Sequence, residues 1–554
     1  MDTATSPPAS SPRLLLGPVL RHVGHDDATV WVETDRACVV EILGQQEPTW
    51  CMAGHHYALL VLSGLPAGQS IEYDVRLDGH PVWPMPDDHR PRPRIRTIDE
   101  GAPLRIAFGS CRYARSAAVT DDQNFEPDAL MVLARQLAGQ DEASWPHAVL
   151  MLGDQVYADE TTEATQQRIR RRRDITTGSR EQVADFEEYT WLYDESWTDP
   201  EVRWLMSVLP SSMIFDDHDI CDDWNTSRAW REDMQATDWW AERVIGGLSS
   251  YWVYQHLGNL SPADLAANEL FQRVRGHGAD VEPLLRDFAA HADAEADGAK
   301  GTRWSYRRDF GPIRLLMIDS RCGRILDGTR SMVGADELAW ISEQADGDYD
   351  HLLIGTSLPW LLARALHDLE AWNEVLADGA RGSRIARWSE SLRRAADLEH
   401  WAAFGASFNS LAALIREVAQ GKRGTRAPAT VCVLSGDVHH AYVARAGYDE
   451  PVDSQVYQLT CSPLHNYVPN AMKLTFRLAW SRAAERTTRA LLGLVTRVPR
   501  PPVSWHREAG PYFGNELMTF HAAGRLALVE LAQTRAEQSE SALHVVQRIA
   551  LSTG

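Results

Sequence analysis

The chain has 554 residues, 44% of them hydrophobic and 20 of them tryptophans, a composition that excludes a disordered or fibrous protein and predicts about two to four domains. Its formal net charge of -22 argues against a nucleic-acid partner, because binding a polyphosphate backbone requires a positive surface. Seven scattered cysteines exclude a disulfide framework. The first residues show no signal peptide and we find no transmembrane segment, so we expect a cytoplasmic protein.

Residues 14–98 consist of short stretches of alternating apolar and polar residues, such as ATVWVET and IEYDVRLDG, separated by Gly, Pro and Asp turns. This pattern predicts about seven antiparallel strands in an immunoglobulin- or fibronectin-like β-sandwich. A proline-rich segment then interrupts the pattern. We therefore place a domain boundary near residue 100, with the sandwich in residues 1–100 and a second domain in residues 101–554.

From residue 101 onward, short apolar runs alternate with long helical stretches. Runs such as LRIAFGS, HAVLMLGD and TVCVLSGD are apolar on both faces, which is typical of strands in a covered sheet. Longer segments near residues 225–300, 362–428 and 470–510 predict helical insertions. The third is basic and amphipathic. It either packs on the body with its arginines in solvent, or forms a substrate lid or a membrane-surface contact.

Polar clusters follow four of the apolar runs: Ser110-Cys111, Gly153 to Tyr157, Asp216 to Asp219, and Gly436 to His440. Ligand sites in layered α/β folds lie just beyond strand ends, so these clusters predict one shared site. Adjacent carboxylates at the end of an apolar strand concentrate like charge unless cations neutralise it. The clusters therefore predict a metal site.

The candidate ligands fall into two chemical sets. Cys111, Tyr157 and His439 offer sulfur, phenolate and imidazole, which suit a transition metal. Asp217 and Asp437 offer only carboxylate oxygen, which suits Ca²⁺, Mg²⁺ or Mn²⁺.

Asp154 could bridge both sites. Two metals ~3.5–4 Å apart that share a carboxylate would clamp a phosphoryl oxygen and activate a water for in-line attack. His218, next to Asp217, would then protonate the leaving oxygen or stabilise charge in the transition state.

The blocks GSCRYA, LGDQVYADE, FDDHDICDDWN, IDSR and SGDVHHA resemble those of PhoD-like alkaline phosphatases, within the calcineurin-like metallophosphoesterases. The resemblance spans roughly residues 14–465. It implies an α+β protein in which the N-terminal β-sandwich is followed by a four-layer α/β/β/α metallophosphoesterase domain with helical insertions. It also implies a centre of Fe³⁺ and Ca²⁺, with Mn²⁺, Mg²⁺ or Zn²⁺ as alternatives in the second site.

Carried over position by position, the resemblance implies two ligand sets and a catalytic pair. The iron ligands are Cys111, Asp154, Tyr157 and His439; the ligands of the second metal are Asp154, Asp217 and Asp437; the catalytic residues are His218 and Asp154. The sequence differs from the commoner form of the family motif at Asp219, where many members have Glu. Asp216, Asp222 and Asp223 are further carboxylates that the resemblance does not assign.

Three further residues are candidates for substrate binding. Arg321 either contacts phosphate bidentately or pairs with Asp319 as a structural ion pair. His440 and Trp360 are expected to line the pocket wall. The arginine run at residues 168–173 is either a solvated helix face or an electropositive rim.

These features predict an enzyme that hydrolyses small phosphate esters, mono- or diesters, by metal-activated water. Cys111 is a rival nucleophile, but its sequence context lacks a phosphate-cradling loop. The alternatives are a two-metal hydrolase of a different ester or anhydride, and a binding protein with a structural metal site.

Overall fold

The computed structural model describes residues 11–99, 101–114, 126–328, 330–536 and 541–553. Residues 11–99 form ten strands: β1 (Leu14–Val23), β2 (Asp27–Thr34), β3 (Val39–Ile42), β4 (Gln45–Pro48), β5 (Trp50–Met52), β6 (His55–Ser63), β7 (Ser70–Glu72), β8 (Val75–Leu77), β9 (His80–Trp83) and β10 (Arg94–Arg96). The prediction of about seven strands was too low. Two-residue hairpin turns with left-handed backbone at Leu43-Gly44, Ala53-Gly54 and Asp78-Gly79 divide the apolar runs into shorter arms.

These strands form two four-stranded antiparallel sheets and a separate pair. The sheet orders are β1-β2-β6-β5 and β4-β3-β8-β9, and β10 pairs with β7. Alternate residues of both sheets, such as Val30, Leu60, Val40 and Val75, form one buried core. The N-terminal region is therefore the sandwich that the alternating pattern predicts.

The strands after residue 101 are β11 (Leu104–Gly109), β12 (Ala148–Leu152), β13 (Ser211–Ile214), β14 (Tyr306–Phe310), β15 (Ile313–Ile318), β16 (His351–Thr356), β17 (Thr430–Ser435), β18 (Ala441–Gly447), β19 (Gln455–Thr460), β20 (Ser504–Tyr512), β21 (Glu516–Ala523), β22 (Leu526–Ala536) and β23 (Ser541–Thr553). They build a six-stranded sheet, β13-β12-β11-β21-β22-β23, and a seven-stranded sheet, β14-β15-β16-β17-β19-β18-β20. The strands β11 to β13 run parallel, as do β15, β16, β17 and β19. The strands β21 to β23, which extend the first sheet, were not predicted from the sequence.

The helices are α1 (Ala129–Ala138), α2 (Glu163–Arg172), α3 (Phe186–Trp197), α4 (Pro200–Val208), α5 (Arg228–Gln235), α6 (Trp240–Ser250), α7 (Leu257–Asn259), α8 (Pro262–Ala267), α9 (Glu269–Gly276), α10 (Glu282–Asp293), α11 (Ala335–Gln344), α12 (Arg364–Ala377), α13 (Ser383–Ala395), α14 (Gly405–Ala419), α15 (Asn470–Ala479) and α16 (Arg482–Gly493). A π-helical turn, Tyr251–His256, joins α6 to α7. Helix was expected up to residue 510, but Ser504–Tyr512 instead forms β20, because it pairs with β18 and becomes the edge strand of the second sheet.

The two large sheets pack face to face. A Cβ added to Gly355 on β16 would lie 2.6 Å from the Met317 sulfur and 3.5 Å from Leu152 of the other sheet. Helix α1 covers the outer face at β22 and β23, and α11 and α14 cover β15 and β17. The result is helix, sheet, sheet and helix in four layers, which confirms the predicted fold class.

A buried junction joins the sandwich to the second domain. The Arg21 guanidinium donates to the carbonyls of Tyr254 (2.8 Å) and Gln255 (2.6 Å) and to Asn259 Oδ1 (3.0 Å). The two carbonyls belong to the π-helical turn. Trp31 and Tyr57 of the sandwich pack on Tyr254, with ring centroids 5.2 and 5.5 Å apart. The two regions therefore share part of one hydrophobic core.

Candidate metal centre

The four predicted clusters converge at the carboxyl ends of β11, β12, β13 and β17. Several of their residues have left-handed backbone, with φ of 55° at Cys111, 52° at Asp154, 65° at Asp437 and 50° at His439. Such a backbone costs about 1–3 kcal/mol for a residue other than glycine, and it is concentrated at functional sites. Its recurrence at four candidate ligands indicates that the surrounding fold holds these residues in a costly conformation because their side chains have a function.

Two glycines allow the strand ends to approach one another. A Cβ on Gly153 would lie 2.7 Å from the Asp216 Cβ, and a Cβ on Gly436 would lie 1.9 Å from the Ser110 Oγ. Both distances are shorter than side chains tolerate. Glycine in the GD pairs is therefore required by the packing of the site itself.

Carboxylates crowd the centre of this edge. Asp154, Asp217 and His218 offer ligand atoms within 4.8 Å of one another, and so do Asp216, Asp217 and Asp437. Within the described ranges, Asp154 Oδ1 and Asp216 Oδ2 are buried without a hydrogen-bond partner. Burial raises the pKa of both carboxyl groups well above the usual range. Buried, partnerless carboxylate oxygens at this density fit cations as their missing partners.

The donors of the predicted transition-metal set border this cluster. Burial raises the pKa of the Cys111 thiol and of the Tyr157 phenol, and the Tyr157 oxygen accepts a hydrogen bond from Asn466 at 3.0 Å. Burial lowers the pKa of His439 to about 4, which leaves a neutral imidazole able to coordinate a metal. Cys111 and His439 are not members of the two compact clusters that the described residues form.

His218 is oriented by a residue that the sequence analysis quoted but did not select. Its Nδ1 lies 2.9 Å from Asp159 Oδ1, and the backbone N–H of Asp222 donates to the other oxygen of Asp159 at 2.6 Å. Burial opposes the charged ring, but Asp159 and the nearby carboxylates raise the pKa of His218 well above its usual range. With Nδ1 held by Asp159, Nε2 is the atom available to the cluster.

Arg321 lies beneath the cluster and not in the cavity. Its guanidinium is fully buried and pairs with Asp216 and, at 2.6 Å, with Glu399. It also lies 3.3 Å from Asp217 and 3.6 Å from Asp437. The predicted contact with phosphate is therefore wrong, because four carboxylates occupy the guanidinium. The predicted ion pair with Asp319 is also wrong, since that carboxylate accepts the backbone N–H of Arg321 instead.

The second helical insert contributes residues that the sequence analysis missed. His400 joins Glu370 (2.7 Å) to Asp437 (3.0 Å) through its two ring nitrogens. Burial disfavours the charged imidazole, but Glu370 and Asp437 raise its pKa well above the usual range. Glu399 pairs with Arg321. Glu399 and His400 follow no apolar run in the sequence. The one sequence feature that could have indicated a role is that Glu and His stand next to each other between two helices.

A cavity of about 430 Å³ opens above the cluster. Asp154, Asp217 and His218 line it, and Leu362, Leu366, Met472 and Phe476 of the helical inserts contribute apolar surface. His440 also lines the cavity, and its ring stacks on Phe476 at 4.5 Å.

Trp360 does not line this cavity. It is fully buried in the core behind the second sheet, where it stacks on Phe408 at 5.6 Å. The expected pocket-wall role is therefore wrong, because the strand-end loop that carries Trp360 turns into the core.

No role was predicted for three further carboxylates near the site, Asp219, Asp222 and Asp223. Asp219 accepts the backbone N–H groups of Asp154 (3.0 Å) and Asp216 (2.9 Å), so it fixes the two strand ends relative to each other. Asp222 and Asp223 line the cavity, and mainly burial raises their pKa values to about 7 and about 8.

The arginine run on and just after α2 does not form an electropositive rim. Arg170 pairs with Glu163 and Glu181, and Arg172 and Arg173 pair with Glu188. These pairs neutralise much of the positive charge that a rim would need. The run therefore belongs to an ion-paired, largely solvated helix face.

Comparison with known proteins identifies a family and similar folds. A family model described as PhoD-like phosphatase matches residues 118–493, more than half of the chain, and a model described as a domain of unknown function (DUF7800) matches residues 11–95. A solved structure titled "Structure of PhoD" is similar at a TM-score of 0.57 and 10% identity, covering 99% of this chain and 94% of that chain. The purple acid phosphatase PPD1 from yellow lupin (Lupinus luteus) seeds is similar at a TM-score of 0.50 and 11% identity, covering 98% and 74%.

No curated protein matches the sequence. A search of the helices in the described part of the chain finds none that is long and apolar enough to cross a membrane.

Proposed function

We propose, from the premise that the chain belongs to the PhoD-like phosphatase family and is a metal-dependent phosphoesterase, that its strand-end residues hold two metal ions for the hydrolysis of small phosphate esters. The observation that carries the proposal is the group of buried carboxylates at neighbouring strand ends, with Asp154 Oδ1 and Asp216 Oδ2 partnerless among the described residues. No N–H or O–H group of the described residues donates to these two oxygens, and bound cations would satisfy them without protonation.

We assign the ligands by donor chemistry. Cys111, Asp154, Tyr157 and His439 would hold Fe³⁺, because sulfur, phenolate and imidazole suit a transition metal. Asp154, Asp217 and Asp437 would hold Ca²⁺, or Mn²⁺, Mg²⁺ or Zn²⁺ in its place. This division is supported by the positions of these residues at strand ends and by their left-handed backbone at Cys111, Asp154, Asp437 and His439.

Metal ions in such a centre stabilise charge on phosphoryl oxygens and lower the pKa of a bound water. Residues of the chain donate the proton and orient the metal ligands. His218, held at Nδ1 by Asp159, presents Nε2 to the leaving oxygen and donates the proton. His400 and Arg321 fix the orientation of Asp437 and Asp217.

The cavity indicates the kind of ester. Its carboxylates accept a phosphoryl group only with metal ions present, and Leu362, Leu366 and Phe476 offer apolar surface to a substituent of the ester. We therefore propose phosphate esters with an apolar group, and diesters above monoesters, because a diester can place one substituent on each side of the phosphorus.

Metal analysis combined with two substrates tests the proposal. Purified protein should contain about one iron and at least one divalent cation per chain, and should hydrolyse bis-p-nitrophenyl phosphate faster than p-nitrophenyl phosphate at alkaline pH. A ferric phenolate or thiolate should also give visible colour. Fully active protein that is colourless and poor in metal would overturn the ligand assignment. Activity on carboxylic esters without activity on phosphate esters would favour the alternative of a different two-metal hydrolase.

The stereochemistry at phosphorus tests the mechanism. We expect one direct displacement by water, and therefore inversion when a substrate chiral at phosphorus is hydrolysed in ¹⁸O-labelled water. Retention, or a trapped phosphocysteine at Cys111, would show a covalent intermediate instead.

We further propose that residues 1–100 are an accessory sandwich domain docked on the catalytic domain of residues 101–554. The separate core of the sandwich supports the division, and the shared aromatic core and the Arg21 junction support the docking. The cytoplasmic location inferred from the sequence stays a prediction.

A further inference from the structure

The helices α15 and α16 present an unusual surface. No residue of α16 is buried, and its end carries Leu491 and Leu494, which are 60% and 82% exposed. Leu474 and Leu478 on α15 are also more than half exposed. A folded domain rarely leaves four large aliphatic side chains of one helical hairpin in water unless they contact something.

The opposite face of this hairpin is firmly attached to the body of the protein. Arg489 pairs with Asp368 on α12 at 2.6 Å, and the Trp372 indole of the same helix donates to the Leu492 carbonyl at 3.1 Å. On α15, the Phe476 ring stacks on His440 at the cavity. The exposed leucines are therefore held outward by an ordered scaffold.

A neighbouring helix extends the exposed surface. Helix α13 carries Trp388, which is 55% exposed, and Ile385 one turn earlier. The Arg381 guanidinium, just before α13, donates to the carbonyl of Val495, just after α16. This hydrogen bond places the beginning of α13 beside the apolar end of α16. We call the exposed residues of α13, α15 and α16 the helical face.

The charge of the helical face is opposite to that of the rest of the chain. Residues 473–500 contain seven Lys and Arg residues and one acidic residue, whereas the whole chain has a formal net charge of -22. The exposed arginines Arg477, Arg482 and Arg486 lie between the leucines along the sequence. Leucine, tryptophan and arginine together on one exposed helical surface are typical of helices that lie in the interface of an anionic bilayer.

We propose that the helical face docks the protein on the surface of an anionic phospholipid bilayer. The positive face is attracted to acidic headgroups while the negative remainder of the chain is repelled, so the bilayer selects one orientation. Met472 and Phe476 of α15 line the catalytic cavity, so docking brings the cavity close to the lipid surface. This binding does not depend on the proposed hydrolysis.

Vesicle cosedimentation tests the docking directly. The full chain should bind vesicles of phosphatidylcholine mixed with phosphatidylglycerol and be released by high salt, and it should bind pure phosphatidylcholine much more weakly. Equal binding to both vesicle types, or no binding to either, overturns the proposal.

Two double variants test the face. Arg482→Gln with Arg486→Gln should lower the partition coefficient about twentyfold, since one basic residue near the surface contributes about a factor of five. Leu491→Ser with Leu494→Ser should lower it at least about tenfold. Matched controls are Arg171→Gln on α2 and Leu526→Ser on β22, both at exposed positions, which should bind as the parent does. Controls that lose binding equally would overturn the assignment of the face.

Two control measurements show whether a loss of vesicle binding comes from misfolding or from a change in oligomeric state. Turnover of a soluble phosphate ester should be the same in both double variants and the parent, which shows that the variants are folded. The oligomeric state without lipid, measured by light scattering, should also be unchanged. If the leucine variant instead dissociates an oligomer, the face is an interface between copies and the proposal is overturned.

Discussion

Two regions of this protein bury charged side chains, and they differ in how that charge is compensated. At the sandwich junction, the buried cation of Arg21 meets two backbone carbonyls and a side-chain amide oxygen, so the chain supplies both sides of the interaction. At the strand ends, Asp216, Asp217 and Asp437 lie around one arginine, and Asp154 adds a further buried carboxylate. The negative charge there exceeds what the chain itself neutralises.

This difference in charge compensation indicates that the junction contributes to folding stability and the carboxylate cluster to function. The junction is held by groups of the polypeptide alone, and its loss should cost folding free energy without affecting chemistry. The carboxylate cluster is incomplete without cations, so its behaviour should depend on metal in solution. The expected consequences follow in order of decreasing size.

Asp154→Ala should remove the metals and turnover together, because this carboxylate belongs to both proposed metal sites. Metal content by mass spectrometry and hydrolysis of bis-p-nitrophenyl phosphate are the two readouts. Asp194→Ala, at an exposed carboxylate that pairs with Arg168, is the matched control and should keep both. Full metal occupancy in the Asp154 variant would show that the cluster does not need its central ligand.

His218→Ala should keep the metals while turnover falls roughly 10²–10⁴-fold, the usual contribution of a general acid. The ring nitrogen of His218 is also close enough to Asp154 and Asp217 to share a metal with them. Loss of metal in this variant would therefore make His218 a ligand, and the assignment as proton donor would be wrong.

Chelation of the metals should lower the free energy of unfolding by about 4 kcal/mol relative to protein in metal at a thousandfold excess over the dissociation constant. Urea unfolding of the chelated and metal-replete forms gives this difference. The same treatment should leave the stability of Asp154→Ala unchanged. An equal shift in that variant would place the stabilising metal elsewhere.

Arg21→Met should lower the free energy of unfolding by about 2–3 kcal/mol, since it removes the side-chain donor to the buried carbonyls of Tyr254 and Gln255 and one of two donors to Asn259 Oδ1. Metal content and turnover should not change. Arg13→Met, at an arginine whose side chain is 76% exposed, is the control and should have little effect. Loss of turnover in folded Arg21→Met would connect the junction to the chemistry.

Asp159→Asn should give the smallest effect, a fall in turnover of about 10–100-fold with metals retained, because it loosens the orientation of His218 without removing the proton donor. The double variant with His218→Ala should be no slower than His218→Ala alone. Additive losses would mean that Asp159 acts on the site by another route.

Local sequence patterns determined the architecture and the position of the centre. Alternation predicted the sandwich, runs apolar on both faces predicted the covered strands, and the polar residues that follow those runs do lie at adjoining strand ends. These inferences succeed because burial and strand periodicity act over a few residues. The short hairpin arms and the C-terminal strands β21 to β23 were not predicted, since β21 joins the sheet by pairing with β11, which is distant in the sequence.

Only the tertiary structure decided which polar groups meet. Arg321 was expected either to contact phosphate or to pair with Asp319, but it pairs with Asp216 and Glu399. His400, from a helical insert, hydrogen-bonds Asp437. Trp360 lies in the core and not at the cavity. The physical reason is that an ion pair or a hydrogen bond depends on distances of about 3 Å between groups far apart in the chain, which no local periodicity encodes.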